Sequence, residues 1–300
     1  MLAIVIPYYK HAYFEETLES LAGQTDKRFK VYIGDDASPE PPTALLEKYQ
    51  GKFDLVYHRF ENNLGGTLLT QQWDRCIGLI GNEEWIIILG DDDVLGVNVV
   101  ANFYFSFNSF KGKSNLVRFA TIVINEKTSK NSNEYQHPIW ESVSDSFYRK
   151  IEGKNRSSLS EYVFSKKSFL KYGFYNNPIG WCSDDRAWFE FTNELPIFSI
   201  NNAFVKIRIS NLNISGKKDN IEIKNQAVYC FFRFIIKEKL YLFKKVQIIK
   251  ILREYENTIK KIRTINIKDR IELLRLYMKY FEKKSFIEFI KRSLRTFFRK

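Results

Sequence analysis

The stretch Trp85-Ile86-Ile87-Ile88-Leu89-Gly90-Asp91-Asp92-Asp93 decides how the chain is read. An unbroken apolar run rich in β-branched residues describes a strand buried on both faces, the kind found inside a parallel sheet. Three carboxylates follow immediately. They repel one another, so a fold gains little by gathering them at a strand end unless a positive group meets them. Hard oxygen ligands suit Mg²⁺ or Mn²⁺, which commonly bridge one or two carboxylates to phosphate groups. The competing reading is a solvated turn leading into a helix N-cap, since Asp is favoured at both.

Working outward from this strand, the first hundred residues alternate in type. Leu2 to Tyr8 is an apolar run, and Phe14, Leu18 and Leu21 recur at helical spacing before Gly23 stops the pattern. Phe29-Lys30-Val31-Tyr32-Ile33 reads as a second strand and Gly34-Asp35-Asp36-Ala37-Ser38-Pro39 as the loop behind it; Pro42 opens a helix through Tyr49. Asp54 to His58 is a third strand, Leu68 to Ile80 a helix, and Glu84 to Leu89 the fourth strand. Such alternation predicts an α/β fold, a mostly parallel sheet with helices on both faces. Ligands of these sheets bind at the carboxyl ends of the strands, and Asp35-Asp36 and Asp91-Asp92-Asp93 both stand at such ends. Further on, Leu116 to Ile124 is strand-like, Glu126 to Glu134 a polar loop, Lys166 to Tyr172 and Asp184 to Phe191 helical, and Ile197 to Ile209 extended.

Composition narrows the function classes. Three hundred residues, 44% of them hydrophobic, suit one large α/β domain with an appendage. Cys76, Cys182 and Cys230 are odd in number and lack metal-ligand spacing, which disfavours a disulfide framework and favours a reducing compartment. The first residues read as a strand and not as a signal peptide, and no apolar run reaches the roughly 18 residues that span a bilayer. A cytoplasmic location is expected. The net charge of +12 is unevenly spread: residues 217–300 carry 24 Lys and Arg against 9 Asp and Glu, residues 1–216 carry 23 against 26. Two domains are expected with that boundary, 1–216 and a basic helical region 217–300.

Four blocks in fixed order are Ile4-Val5-Ile6-Pro7-Tyr8-Tyr9, Leu18 to Thr25, Val31 to Ser38, and Leu89 to Leu95. Together they resemble the family 2 glycosyltransferases, nucleotide-sugar enzymes with the GT-A fold, a Rossmann-like α/β sheet. The resemblance covers about the first 100 residues strongly and continues weakly to about residue 215. It implies that Pro7, Tyr8 and Tyr9, with Asp36 and its neighbour Asp35, hold the nucleotide of a donor, typically a UDP-sugar. It implies that the cluster at 91–93 meets the donor's diphosphate through Mn²⁺ or Mg²⁺. Gly90 stands where the commoner form has its first Asp. Asp92 then aligns with the metal ligand, while Asp91 and Asp93 form a literal DxD; the metal is assigned to Asp92 and Asp93, with Asp91 facing the donor. Arg75 is a candidate phosphate contact, as are the backbone groups of Gly65-Gly66. Family enzymes place an acidic pair at a helix start to deprotonate the acceptor hydroxyl in an inverting transfer. Ser183-Asp184-Asp185 matches that place, with Asp185 the candidate base beside Asp184, although first-turn acids after a Ser cap would also serve the helix dipole. The irregular segment 125–180 would shape the acceptor pocket. Near the domain's end, Ser210 or Asn211 stands where some relatives carry a metal-binding His. His11, His58 and His137 read as structural or surface residues.

From Asn220 the chain contains neither Gly nor Pro and reads as helical throughout. Phe286, Ile287, Ile290, Leu294, Phe297 and Phe298 fall on one arc of the last helix, and Lys284, Lys291, Arg292, Arg295 and Arg299 on the other. Such a helix lies on an anionic membrane or packs its apolar arc against protein. For 226–252, where Phe231, Phe232, Ile235, Ile236, Leu240 and Phe243 surround the axis, packing or oligomerisation is expected. No nucleic-acid-binding module is recognisable. A glycan or lipid-linked glycan acceptor in surface-polysaccharide assembly, with the chain peripheral to the inner face of the plasma membrane, would explain both the acidic active face implied by the resemblance and the basic tail. The competing readings are a nucleotidyltransferase, which would need a Gly-rich basic loop after the first strand, and an inactive nucleotide-sugar-binding scaffold.

Overall fold

The computed structural model describes residues 1–217 and 219–297. The chain divides into two compact units, Met1–Asp219 and Asn220–Lys300.

The first unit opens with β1 (Leu2–Tyr8), α1 (Phe14–Ala22), β2 (Phe29–Asp35), α2 (Thr43–Lys48), β3 (Asp54–Arg59), α3 (Leu69–Ile77) and β4 (Trp85–Ile88). It continues with β5 (Val94–Leu95), α4 (Val99–Phe110), β6 (Leu116–Asn125), β7 (Lys130–Asn131), β8 (Trp140–Glu141) and α5 (Val143–Ile151). It closes with β9 (Tyr162–Ser165), α6 (Lys166–Tyr172), α7 (Ser183–Phe191) and β10 (Ile197–Ile209). One sheet runs in the order β3-β2-β1-β4-β9-β6-β10-β5, with β7 paired to β6 and β8 to β10. The pairs β2–β3, β1–β2, β1–β4 and β6–β10 are parallel. β9 enters antiparallel between β4 and β6. Parallel strands thus dominate the half that bears the acids.

The apolar runs explain the placement of β1. Leu2, Ile4, Ile6 and Tyr8 bury one face against Phe14, Leu18 and Leu21 of α1, within a core that extends to Phe103 of α4. The other face meets α3: Ile33 belongs to the first core, whereas a Cβ on the next residue, Gly34, would lie 2.3 Å from Cys76 Sγ. Successive strand residues point to opposite faces, so helices cover both sides, as an α/β reading requires.

Several boundaries differ from expectation. Pro42 precedes its helix, which begins at Thr43. The polar segment 126–134 contains β7, because Lys130 and Asn131 fold back on the end of β6. Ser183 is the first helical residue and not the cap; Cys182 precedes it in the left-handed region (φ 61°), and Ser183 Oγ accepts from the Asn177 N–H.

The second unit is not one continuous helix. α8 (Ile221–Phe234) passes through a π-helical turn, Ile235–Lys239, and a 3₁₀ turn, Leu240–Leu242; α9 (Lys245–Ile262), α10 (Ile267–Lys279) and α11 (Lys283–Phe297) follow. The break before α10 is made by a reciprocal cap: Asn266 Oδ1 accepts from Asp269 N–H at 2.9 Å, and Asp269 Oδ2 accepts from Asn266 N–H at 2.9 Å. Phe231, Phe232, Ile235, Ile236, Leu240 and Phe243 are buried, as expected of that stretch. In α11 Phe289 is buried, stacked 4.6 Å from Tyr277, while Ile287 and Leu294 of the expected apolar arc are exposed. Phe298 and Arg299 lie outside the described residues. Among the described residues no helix is long and apolar enough to cross a membrane.

Candidate active site

In register, Tyr8 lies opposite Asp35, and Val5 opposite Ile88, so the carboxyl ends of β1, β2 and β4 reach one edge of the sheet. The acids arrive there with different partners.

Asp35 and Asp36 are occupied by the fold. Asp35 is fully buried; its Oδ1 accepts from Ser38 N–H at 2.7 Å, and its Oδ2 accepts from Tyr57 Oη and Arg59 Nη1, each at 2.7 Å. Burial, and then that carboxylate, push the Tyr57 hydroxyl up to about 12. Asp36 accepts from the backbone N–H of Leu64 and Gly65, both at 2.8 Å, and pairs with Arg75. A Cβ on Gly65 would lie 2.6 Å from Asp36 Oδ2, so glycine is needed for this approach. Arg75 also bonds Gln72 and Asn62 and lies 3.9 Å over the Phe60 ring. Asp36 and Arg75 therefore shape the loop 60–66, and the amides of Gly65 and Gly66 are given to Asp36 and Asn63. Of the first-strand residues, Pro7 pairs within the sheet, Tyr8 is buried and donates to the Glu40 carbonyl, and Tyr9 is exposed.

The cluster at 91–93 divides three ways. Asp91 Oδ2 accepts from the backbone N–H of Tyr9 (2.9 Å) and Lys10 (2.8 Å). Burial pushes its carboxyl up, Lys10 opposing the shift and Asp92 adding to it. Asp93 turns inward: its Oδ1 accepts from Arg208 N–H at 2.9 Å and its Oδ2 from Ser160 Oγ at 2.6 Å. Burial and then the Asp92 charge push Asp93 up to about 7. Asp92 accepts from Lys10 Nζ and from Asn213 Nδ2, both at 3.2 Å. Lys10 Nζ is also 3.4 Å from Asp91 Oδ1. Asp91 and Asp92 therefore already share one cation through hard oxygens, a donor set that fits a divalent ion completed by phosphate oxygens. Among the described residues no group of three or more His, Cys, Asp or Glu is gathered to hold a metal.

Lys10 and Asn213 escaped the sequence reading. Ser210, at the place where some relatives carry a metal-binding His, accepts from Leu212 N–H. The signal for Asn213 was no more than the polar run 210–215.

The second acidic site stands on α7. Its entry is strained: Ile179 (φ 50°) and Cys182 (φ 61°) are left-handed without being glycine. Asp185 is buried and held by Lys150 Nζ at 2.6 and 2.7 Å from its two oxygens. Burial works against the Lys150 charge, but Asp185 and then Asp184 outweigh it and hold the ammonium above its ordinary value. Asp184 is half-buried and forms no ion pair among the described residues; burial, then the Asp185 carboxylate, push it up to about 7. A cavity of about 20 Å³ beneath Asp185, lined also by Lys150, Tyr162 and Trp188, holds at most one water and not a sugar. Trp188 stacks on Tyr162 at 4.4 Å and Trp73 meets Phe174 at 5.2 Å, so both indoles pack in the interior. Three consecutive residues join the acidic sites: Ser160 bonds Asp93, Glu161 acts on the charge of Asp184, and Tyr162 carries Trp188.

An α/β domain with acids at the carboxyl edge of parallel strands and a second acidic pair beside them has the GT-A architecture. The chain is a member of glycosyl transferase family 2, whose profile matches residues 3–159, just over half of it. Among solved structures it is similar to S. aureus TarS: TM-score 0.60 at 14% identity, over 95% of this chain and 50% of that one. TarS 1-349 in complex with UDP gives 0.59 at 15%, over 95% and 82%; the complex with UDP-GlcNAc gives 0.59 at 15%, over 93% and 80%. At these identities the likeness is one of fold. The chain spans about half the length of the TarS chain first cited. No match to a curated protein is found.

Proposed function

We propose that the protein transfers a sugar from a nucleoside diphosphate donor, a UDP-sugar, to an acceptor hydroxyl with inversion at the anomeric carbon. What supports this reading above all is the convergence of Asp91 and Asp92 on one cation, with the Asp184–Asp185 pair linked to them through 160–162. Direct displacement needs a place for a departing diphosphate and a base for the incoming hydroxyl, and the two acidic sites would serve as these. TarS structures hold UDP and UDP-GlcNAc, which favours the same donor class here. Tyr9, the exposed member of Pro7-Tyr8-Tyr9, would face the base of the nucleotide. Asp91 and Asp92 would hold Mn²⁺ or Mg²⁺, whose charge offsets the charge developing on the diphosphate. The acceptor's proton goes to the Asp184–Asp185 pair, where Lys150 holds Asp185 in place.

The basic second unit favours an anionic membrane surface as the workplace and a glycan or lipid-linked glycan as acceptor, in surface-polysaccharide assembly. Release of UDP from a panel of UDP-sugars with Mn²⁺ tests the enzyme reading. Turnover is expected in the wild type, and Asp92→Asn should lower it by about a hundredfold, the scale of removing one transition-state charge partner. No turnover of any donor, with binding unchanged by Asp92→Asn, would leave a binding protein instead.

A further inference from the structure

Lys10 is the site residue that this reading leaves without a task. Its backbone N–H donates to Asp91 Oδ2 at 2.8 Å, and its Nζ lies 3.4 Å from Asp91 Oδ1 and 3.2 Å from Asp92 Oδ2. Main chain and side chain of one residue thus hold the same carboxylate. Asp92 is steadied from another direction by Asn213 Nδ2. The acid cluster carries its own counter-ion.

That counter-ion competes for the oxygens a divalent ion would use. A Mg²⁺ ion binds carboxylate oxygen at about 2.1 Å, which would bring it close to a like-charged ammonium bonded to the same group. The Lys10 backbone is pinned by Asp91, whereas the head sits on a flexible four-carbon stem with three rotatable donors. Resting on the metal-and-diphosphate reading above, we propose that Lys10 is the exchangeable counter-ion of this site. It neutralises Asp91 and Asp92 in the donor-free protein, and it moves to a diphosphate oxygen of the donor when the carboxylates pass to a divalent cation. Metal and nucleotide then bind cooperatively, because the metal displaces the ammonium that the diphosphate receives. By linkage the coupling is reciprocal.

The test measures binding rather than turnover. Mn²⁺ affinity is read from the electron paramagnetic resonance signal of the free ion, with and without UDP. The proteins are the full chain and its Lys10→Met and Lys10→Gln variants, each checked for folding by circular dichroism. Loss of the competing ammonium should tighten Mn²⁺ binding without UDP by about tenfold, equivalent to about 1.4 kcal/mol. UDP binding at saturating Mn²⁺ should weaken by a similar factor, so the cooperativity between the two shrinks. If both folded variants bind Mn²⁺ no more tightly than the wild type, the exchange is overturned while the metal site stands. If the wild type binds no Mn²⁺ at all, the exchange falls together with the metal reading.

Discussion

Gly90 stands where the commoner family sequence has an aspartate, and the local geometry gives a reason. A Cβ at this position would lie 2.8 Å from Asp93 Oδ2 and 3.3 Å from Asp92 Oδ1. Asp93 occupies that space because it is bonded to Ser160 and to the backbone of Arg208. Gly90→Asp should therefore destabilise the fold by about 2–4 kcal/mol, through overpacking and an added buried charge; urea unfolding measures it. A loss below about 0.5 kcal/mol, the scale of a neutral surface change, would mean that Asp93 can turn away. On α7, Asp184 lies pushed up to about 7, by burial first and Asp185 second. A base must be ionised, so kcat should rise with pH through about 7 and level off above it. Lys150→Met removes a cation that favours the ionised form of Asp184 and should shift this limb to higher pH. An unmoved midpoint would separate Lys150 from the titration. Asp184→Asn and Asp185→Asn should each lower kcat by at least about a hundredfold; a variant that keeps wild-type kcat takes that acid out of the role.

Among the elements, β6 is tied to its neighbours by a buried ion network. Arg118 is fully buried and donates to Glu141 on β8 (2.8 Å), Ser146 on α5 (2.6 Å) and Ser199 on β10 (3.1 Å). Arg149 of α5 joins the same Glu141 at 2.7 Å. Arg118→Met leaves part of this network desolvated and unpaired, and should cost about 3 kcal/mol of unfolding free energy. Equal urea midpoints for variant and wild type would show that Arg149 alone satisfies Glu141. Nothing in the local sequence announced this knot, since its members are spread from 118 to 199 and meet only through the sheet. The same distinction governs the rest of the molecule. β1, β2 and β4 were legible because continuous apolar runs end in Pro, Gly or Asp. β9 was not, because four residues between a polar loop and a helix carry too little periodicity. Asp91 and Asp92 could be found as a cluster, whereas Lys10 and Asn213 act across 82 and 121 residues and are single polar side chains in loops. The break before α10 was hidden for a related reason: Asn266 and Asp269 cap reciprocally, with neither Gly nor Pro to mark the stop.

At the scale of the whole molecule the two compact units differ in charge: 22 basic against 8 acidic residues in 220–300, and 25 against 27 before them. The second unit also displays apolar side chains. On α10, Ile267, Ile271 and Met278 are exposed at spacings of four and seven residues, one stripe of a helix. Lys268, Arg275 and Lys279 are exposed along one side of that stripe. Ile287 and Leu294 form a similar exposed pair on α11, with Lys283, Lys284 and Lys291 exposed on the same helix. Stripes of this kind suit the interface of an anionic bilayer, where apolar insertion and attraction to the headgroups act together. The full chain should therefore bind vesicles containing phosphatidylserine more tightly than neutral phosphatidylcholine vesicles, and lose binding as salt rises. Ile271→Asp with Met278→Asp should reduce that binding by about tenfold or more, since each exchange replaces a buried apolar side chain worth about 1.5–3 kcal/mol. UDP-sugar hydrolysis in solution should be unchanged in this double variant. Equal binding to neutral and anionic vesicles, or full binding by the double variant, would remove the membrane from the account and leave the basic unit to another partner.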